Sequence, residues 1–193
     1  MDIFLSICLG IGLSAACGFR VFVPFFAMSV ASLSGNLTLS QGFEWIGSYP
    51  ALIVFATAAA LEIAAYYVPW VDNLMDAVTA PAAVIAGTIA AASSITEMSP
   101  LLKWSLALIA GGGTAAVFHA STSLLRGAST SATGGLGNHA VATAELGIAS
   151  VLSLTAILIP VLSGIAILIL LLFVIKWLVH KVFRRKKAIG ASP

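Results

Sequence analysis

Two glutamates, Glu62 and Glu145, lie inside segments whose other residues are typical of lipid-buried helices. A charged side chain at the centre of a bilayer costs about 3 kcal/mol on insertion scales, so such residues face the protein interior or a water-filled path. Arg20 is the only basic residue among the first hundred and is the candidate partner of either glutamate. Their interaction is either part of a transport path or a structural ion pair that fixes helix register.

Further polar groups fall near the glutamates. Tyr66 lies one helical turn after Glu62 on the same face and offers a phenol donor. His119 changes charge near neutral pH and is a candidate proton relay, or else it simply bonds a neighbouring carbonyl. If Arg20 neutralises one glutamate, the other is left as the titratable group. We favour Glu145 for that role, because it follows a stretch rich in serine, threonine and glycine.

That stretch, residues 121–138, contains Arg126 and is too polar for lipid. We favour a cytoplasmic loop over non-helical backbone at membrane depth, which is tolerated only where it is buried in protein or lines a cavity. In either case Arg126, Thr122 and Asn138 are candidates for the inner mouth of a path.

Asp72 and Asp76 lie one helical turn apart and share a face at the predicted membrane surface. Together with Asn73 they offer the oxygen ligands that a hard cation prefers. The alternative, which we favour, is helix capping, with Asp72 at the N-cap and Asp76 in the first turn.

No enzyme motif is present. Residues 111–113 are all glycine but lack the lysine and the strand of a phosphate-binding loop, and no serine lies in a nucleophile elbow. His119 and His139 lack the spacing of a helical zinc site. The sequence therefore predicts no catalytic residue, no metal and no cofactor.

The composition indicates a membrane protein. Of 193 residues, 60% are hydrophobic and 8% are charged, and the mean hydropathy is +1.09. A soluble domain of this composition would have almost nothing polar for its surface. Four basic residues lie in one run, 184–187, so the net charge of +2 describes a tail rather than a nucleic-acid surface. The expected partners are the lipid bilayer and a small solute or ion.

Apolar segments long enough to span a bilayer, about 20 residues each, number six. The last two are divided near residues 159–164, where a proline and a glycine interrupt a long apolar run. The predicted spans are 3–33, 51–68, 74–94, 101–121 and the two parts of 139–183.

Basic residues predict the orientation. An even number of spans places both termini on one side, and Lys176, Lys181 and the run 184–187 favour the cytoplasm. Arg126 then falls inside, whereas Lys103 falls outside and is the exception.

The two halves of the chain show a weak repeat. Residues 12–16 align with 112–116, and residues 58–62 align with 141–145, which pairs the two glutamates. Three spans per half would make the repeat inverted, as in many channels and secondary transporters. The alternative is that alanine, glycine and leucine align by chance. The predicted units are 1–98, 99–183 and a basic cytoplasmic tail, 184–193.

Two helices are predicted to be broken. Gly18 and Pro24 bracket Arg20 deep in the first span, where proline removes a backbone donor and clashes with the preceding turn. In the second half, Gly111 begins the glycine triplet within the fourth span and predicts a similar break.

Three blocks, residues 12–24, 61–76 and 119–145, together resemble an uncharacterised bacterial integral-membrane family known as domain of unknown function 4126. The resemblance implies a bacterial inner-membrane protein and no established activity. Many members carry an aspartate–lysine pair before the proline of the second block and a lysine between the histidine and the arginine of the third. Here those positions hold Tyr66, Tyr67 and Thr122.

These observations predict an all-α inner-membrane protein of six spans in two inverted halves. Its expected function is a small-solute or ion transporter or channel, and the alternative is a non-transporting scaffold or accessory subunit with a structural Arg–Glu network. Small residues such as Ala82, Ala86 and Ala90 suit close helix packing within one chain or in a homo-oligomer. The predicted midplane residues are Arg20, Glu62, His119 and Glu145.

Overall fold

A computed structural model of the chain describes residues 2–68 and 71–189, and for residues 72, 73 and 177–189 it describes the backbone alone. Within these ranges the regular structure is helical and includes no β-strand. The helices are α1 (Ile3–Phe19), α2 (Phe22–Leu33), α3 (Tyr49–Tyr66), α4 (Val71–Ser94), α5 (Pro100–Leu106), α6 (Gly113–Thr133), α7 (Asn138–Leu158) and α8 (Pro160–Ile189). A 3₁₀ turn, Glu44–Gly47, precedes α3, and a π-helical segment, Ala107–Gly112, joins α5 to α6.

Several of these helices have the length and apolarity of membrane spans, which indicates a membrane protein. Among the described residues, four stretches are long enough to cross: Tyr49–Tyr66, Leu74–Ser94, Pro100–Thr133 and Asn138–Leu158. The shorter apolar helices are Ile3–Phe19, Phe22–Leu33 and Pro160–Lys176.

Local sequence signals explain several helix boundaries. The Ser48 hydroxyl caps α3 by accepting the Ala51 N–H at 3.3 Å, and proline follows in the first turn. Gly134 ends α6 in the left-handed conformation that favours glycine, with φ of 63°. Pro160 begins α8 directly after Ile159, so the predicted division of the long apolar run near 159–164 is confirmed.

Helices α1 and α2 form a hairpin that enters and leaves the bundle at the same end. The first half of α1 packs against the last turns of α4, where a Cβ on Gly10 would lie 3.1 Å from the Cα of Ala91. The chain that follows α2 reaches the same region, since the Ser40 N–H donates to the Ser93 carbonyl at 2.7 Å. Between the two helices the chain turns at Arg20, whose backbone is extended.

The turn of this hairpin lies far from its two ends. Arg20 contacts Ala142 near the start of α7, and the first N–H groups of α2 contact Glu62 near the end of α3. We call the end of the bundle that holds residues 34–48 the loop end, and the opposite end, near Arg20, the tip end. At about 25 Å and 18 Å, α1 and α2 are each shorter than the hydrocarbon core, which is about 30 Å thick.

Helix α1 occupies the centre of the bundle, in contact with α4, α6, α7 and α8. Small residues permit this close packing. A Cβ on Gly18 would lie 2.7 Å from the carbonyl oxygen of Ala115, and one on Gly12 would lie 2.6 Å from the Ser163 hydroxyl. The Ser14 hydroxyl lies 2.7 Å from the Gly87 carbonyl and joins α1 to α4.

The small-residue face of α4 packs inside the same chain. Ala86 and Ala90 are buried in the core that includes Leu13 of α1. This face therefore serves packing within one chain, and the homo-oligomer stays a prediction.

The structure confirms one predicted helix break and corrects the other. The first predicted span is interrupted between α1 and α2, inside the segment bracketed by Gly18 and Pro24. The stretch Pro100–Thr133 is one continuous helix, so the break predicted at residues 111–113 is wrong. Gly111 serves close packing instead, because a Cβ there would lie 2.7 Å from the carbonyl oxygen of Gly87 on α4.

The polar stretch 121–138 is helix as far as Thr133, so the predicted loop is also wrong. Several of its hydroxyl groups donate to carbonyls one turn earlier on the same helix. Ser121 donates to Val117, Ser131 to Gly127 and Thr133 to Ser129, each at 2.8 Å. Such local bonds remove the need for water around serine and threonine in a helix.

The arrangement of six spans in two inverted halves is not confirmed, because the first predicted span is a hairpin. The prediction of two cytoplasmic termini depended on six crossings. In the structure, α8 begins beside the start of α1, where a Cβ on Gly164 would lie 2.8 Å from that of Cys8, and continues along α1 with Ile167 against Ala15. The two ends of the described chain therefore lie at opposite ends of the bundle. The side chains of the basic tail, 184–193, lie outside the described residues.

Candidate functional site

Arg20 is buried at the turn of the α1–α2 hairpin, with 1% of its surface exposed. Its Nη2 donates to the Ala142 carbonyl at 2.9 Å and lies 3.5 Å from Oε2 of Glu145. Its Nε and Nη1 have no hydrogen-bond partner among the residues that the structure describes. Of the two glutamates considered as its partner, the structure pairs Arg20 with Glu145.

Glu145 of α7 also binds Arg126 of α6. Arg126 Nε donates to Oε1 at 3.0 Å, and Nη2 forms a close ion pair with Oε2. This is the bidentate geometry in which guanidinium and carboxylate interact most strongly. Glu145 thus contacts two arginines, which is the opposite of the uncompensated carboxylate expected from the sequence.

Arg126 also reaches Asp76 on α4, where Nη1 lies 2.5 Å from Oδ1. The Asp76 side chain is 25% exposed, compared with 3% for that of Glu145. The sequence placed Arg126 at the inner mouth of a path and Asp76 at the membrane surface. In the structure the two residues belong to one ion cluster. Asp76 is its more accessible carboxylate.

Tyr66 lies between the two arginines. The Cζ atoms of Arg20 and Arg126 lie 4.0 Å and 3.9 Å from the centre of its ring. At these distances both guanidinium groups gain cation–π attraction from the same ring. The Tyr66 hydroxyl lies 3.1 Å from Oγ1 of Thr79.

Glu62 caps the start of α2. Its Oε1 accepts the Val21 N–H at 2.8 Å, and its Oε2 accepts the Phe22 N–H at 3.0 Å. The first N–H groups of a helix have no partner within the helix, and the helix dipole makes this end positive. A buried carboxylate here satisfies two donors and is stabilised by the dipole, so Glu62 is held by backbone rather than by Arg20.

We call this group the tip cluster. Five elements contribute to it, and its members are Arg20, Glu62, Tyr66, Asp76, Arg126 and Glu145. The sequence predicted Tyr66 only as a possible donor to Glu62, whereas in the structure it supports both arginines. The signal that could have found this role was its position one helical turn after Glu62.

The remaining candidates occupy other positions. The ring of His119, buried on α6, has its Nε2 3.5 Å from the Ser123 hydroxyl. Thr122 donates to the His119 carbonyl at 3.0 Å, and Asn138 donates to Thr130 at 2.9 Å where α6 meets α7. These bonds are between neighbouring turns or successive helices, and they give no direct sign of a path.

Asp72 lies in the first turn of α4, which begins at Val71, and its predicted capping role stays a prediction. Its side chain lies outside the described residues. Among the described side chains, no group of three or more histidine, cysteine, aspartate or glutamate residues is arranged to hold a metal ion.

The apolar helices, the buried hairpin and the ion cluster together define an all-helical membrane protein. The chain belongs to the family described as domain of unknown function (DUF4126), whose sequence pattern matches residues 7–181. No curated protein and no solved structure matches the chain.

Proposed function

We propose that the protein moves a small solute or ion across the bacterial inner membrane and that the tip cluster is its site. The observation that carries this proposal is the hairpin that brings Arg20 to charged groups from α3, α4, α6 and α7. Hairpins and discontinuous helices at membrane depth are typical of transporters and channels, where half-helix ends form ion and substrate sites.

The energetic cost of the cluster supports the same proposal. Arg20, Glu62 and Glu145 are almost fully buried, and the chain is otherwise poor in charge. Placing ionisable groups at membrane depth is expensive, and they commonly mark substrate or proton pathways. Asp76 is the partly exposed member and is the expected entrance from the tip end.

We expect the tip end to face the cytoplasm, because α8 runs toward it and carries the basic residues Lys176, Lys181 and 184–187. Lys103, which donates to Ser40 at the loop end, is the exception. A green fluorescent protein fused to the C-terminus should fluoresce in cells. A dark fusion that inserts at normal levels would reverse this orientation.

A scaffold or accessory subunit is the alternative, and the pairing of the glutamates favours it. Both oxygens of Glu62 and of Glu145 accept hydrogen bonds. On this view the cluster fixes how the helices pack, and its variants lose stability without losing any flux.

Flux into proteoliposomes separates the two functions. We would measure protons with an entrapped pH dye, and potassium, chloride and phosphate with tracers, for wild type, Arg20→Gln and Glu145→Gln. Removing one partner of a buried charge pair is expected to reduce flux by about tenfold or more. Matched controls are Lys103→Gln and Glu44→Gln, which remove one cation and one carboxylate at the loop end.

Every variant must first elute as a single species from size-exclusion chromatography. If wild type carries none of these ions, or if the folded cluster variants match the two controls, the transport function is rejected. Unfolding of the cluster variants alone, with no wild-type flux, would support the scaffold.

A further inference from the structure

We propose that the tip cluster binds a small oxyanion through Arg20. This inference names the substrate class of the site and rests on the proposed transport function for its biological purpose. It is carried by the unmet donors of the buried Arg20 guanidinium and by the distribution of carboxylates around it.

A guanidinium has five N–H donors. In Arg20, the acceptors in the described part of the chain are all reached from one nitrogen. Nη2 contacts the Ala142 carbonyl and Glu145, whereas Nε and Nη1 contact no acceptor in the described part of the chain. The residue is 1% exposed, so bulk water does not reach it freely. Burying charged donors without acceptors is costly, which calls for an occupant that supplies oxygen atoms.

The carboxylates around Arg20 are committed to other groups. Glu62 accepts two N–H groups from the start of α2. Glu145 gives both oxygens to Arg126 and lies farther from Arg20, at 3.5 Å. Arg20 is therefore the less compensated of the two arginines, and its Nε and Nη1 donors favour an occupant that supplies oxygen acceptors.

The chemistry of guanidinium narrows the class further. Arginine binds carboxylate and phosphate oxygens through directed hydrogen bonds, and lysine acts mainly as a point charge. Tyr66 contacts Arg20 through its ring, with the Arg20 Cζ 4.0 Å from the ring centre, and takes up neither the Nε nor the Nη1 donor. The expected ligands are small oxyanions such as acetate, phosphate or sulfate, in preference to chloride.

Binding can be measured without transport, by calorimetric titration of the purified protein with sodium acetate, phosphate or sulfate at constant ionic strength. Sodium chloride is the control salt. Wild type and Lys103→Gln, a cation control at the loop end, are expected to bind at least one oxyanion saturably. Arg20→Gln should weaken binding by about tenfold or more, and Arg20→Lys should weaken it less.

Glu145→Gln gives a test of opposite sign. Removing the negative charge of Glu145, 3.5 Å from Arg20, should strengthen oxyanion binding by about tenfold, because its repulsion of the oxyanion is lost. This variant keeps the proposal testable if Arg20→Gln does not fold.

No saturable binding by folded wild type, or unchanged binding in Arg20→Gln or Glu145→Gln, would overturn the oxyanion site and leave water as the occupant. Flux of cations or protons without oxyanion binding rejects this inference and keeps the transport function. Oxyanion binding without any flux keeps the site and rejects transport.

Discussion

The α1–α2 hairpin and the continuous helix from α5 to α6 both carry glycine deep in an apolar segment, yet only the first is broken. At the hairpin, proline follows the turn, and Glu62 accepts the N–H groups that the turn leaves free. In the α5–α6 helix the backbone stays helical through a π-helical segment, and Gly111 lies against Gly87. Glycine alone does not break a membrane helix. A break also needs a buried acceptor for the released donors.

Removing the acceptor at the hairpin, Glu62, should have the largest effect on stability. Glu62→Ala leaves the N–H groups of Val21 and Phe22 buried without a partner and should cost about 3 to 5 kcal/mol of unfolding free energy. Glu62→Gln keeps an acceptor and should cost less. Chemical unfolding in detergent measures both.

Glu44→Ala is the matched control, because Glu44 is exposed at the loop end and should change stability by about 0.5 kcal/mol. A Glu62→Ala protein as stable as this control would mean that the hairpin does not depend on its acceptor.

Replacing a closely packed glycine should have an intermediate effect on stability. A Cβ on Gly18 would lie 2.7 Å from both the Ala115 oxygen and the Phe118 Cβ, so Gly18→Ala should destabilise by about 1 to 3 kcal/mol. Gly113 is exposed, and a Cβ there meets no atom within 4 Å. Gly113→Ala should therefore be neutral or stabilise by up to about 1 kcal/mol. Equal thermal midpoints for the two variants would refute the central packing of α1.

The smallest effect is expected in the polar half of α6. The Ser131 hydroxyl bonds only its own helix, at the Gly127 carbonyl, so Ser131→Ala should change stability by a few tenths of a kcal/mol, with a gain favoured by helix propensity. Differential scanning fluorimetry is sufficient. A loss above about 1 kcal/mol would show that this stretch does more than continue a helix.

The features that depend on neighbouring residues were predictable from the sequence. Apolar runs predicted α3, α4 and the division at Pro160, and the positions of Gly18 and Pro24 predicted the first break. The failures share a cause. The triplet that begins at Gly111 and the polar stretch that ends at Thr133 both lack apolar helical pattern, but tertiary packing and hydroxyl-to-carbonyl bonds keep them helical.

The candidate site was predicted in part. Arg20, Glu62 and Glu145 were recognised because a charge within an apolar helix is conspicuous in any sequence. Asp76 and Arg126 were placed at membrane surfaces, since nothing in a sequence shows that residues 50 positions apart meet. Tyr66 carried no charge to draw attention to it as the support of both arginines.

The sequence by itself determined that this chain forms apolar helices in a membrane and which costly polar groups they carry, because hydrophobicity and helix-breaking residues act locally. Only the tertiary structure decided that the chain turns back at Arg20 and which carboxylate each cation meets. The contact from Arg20 to Ala142 joins residues 122 positions apart, and such pairs form only when helices pack. Whether a break becomes a kink or a hairpin depends on where the freed backbone donors find an acceptor, and here that acceptor is Glu62 on another helix.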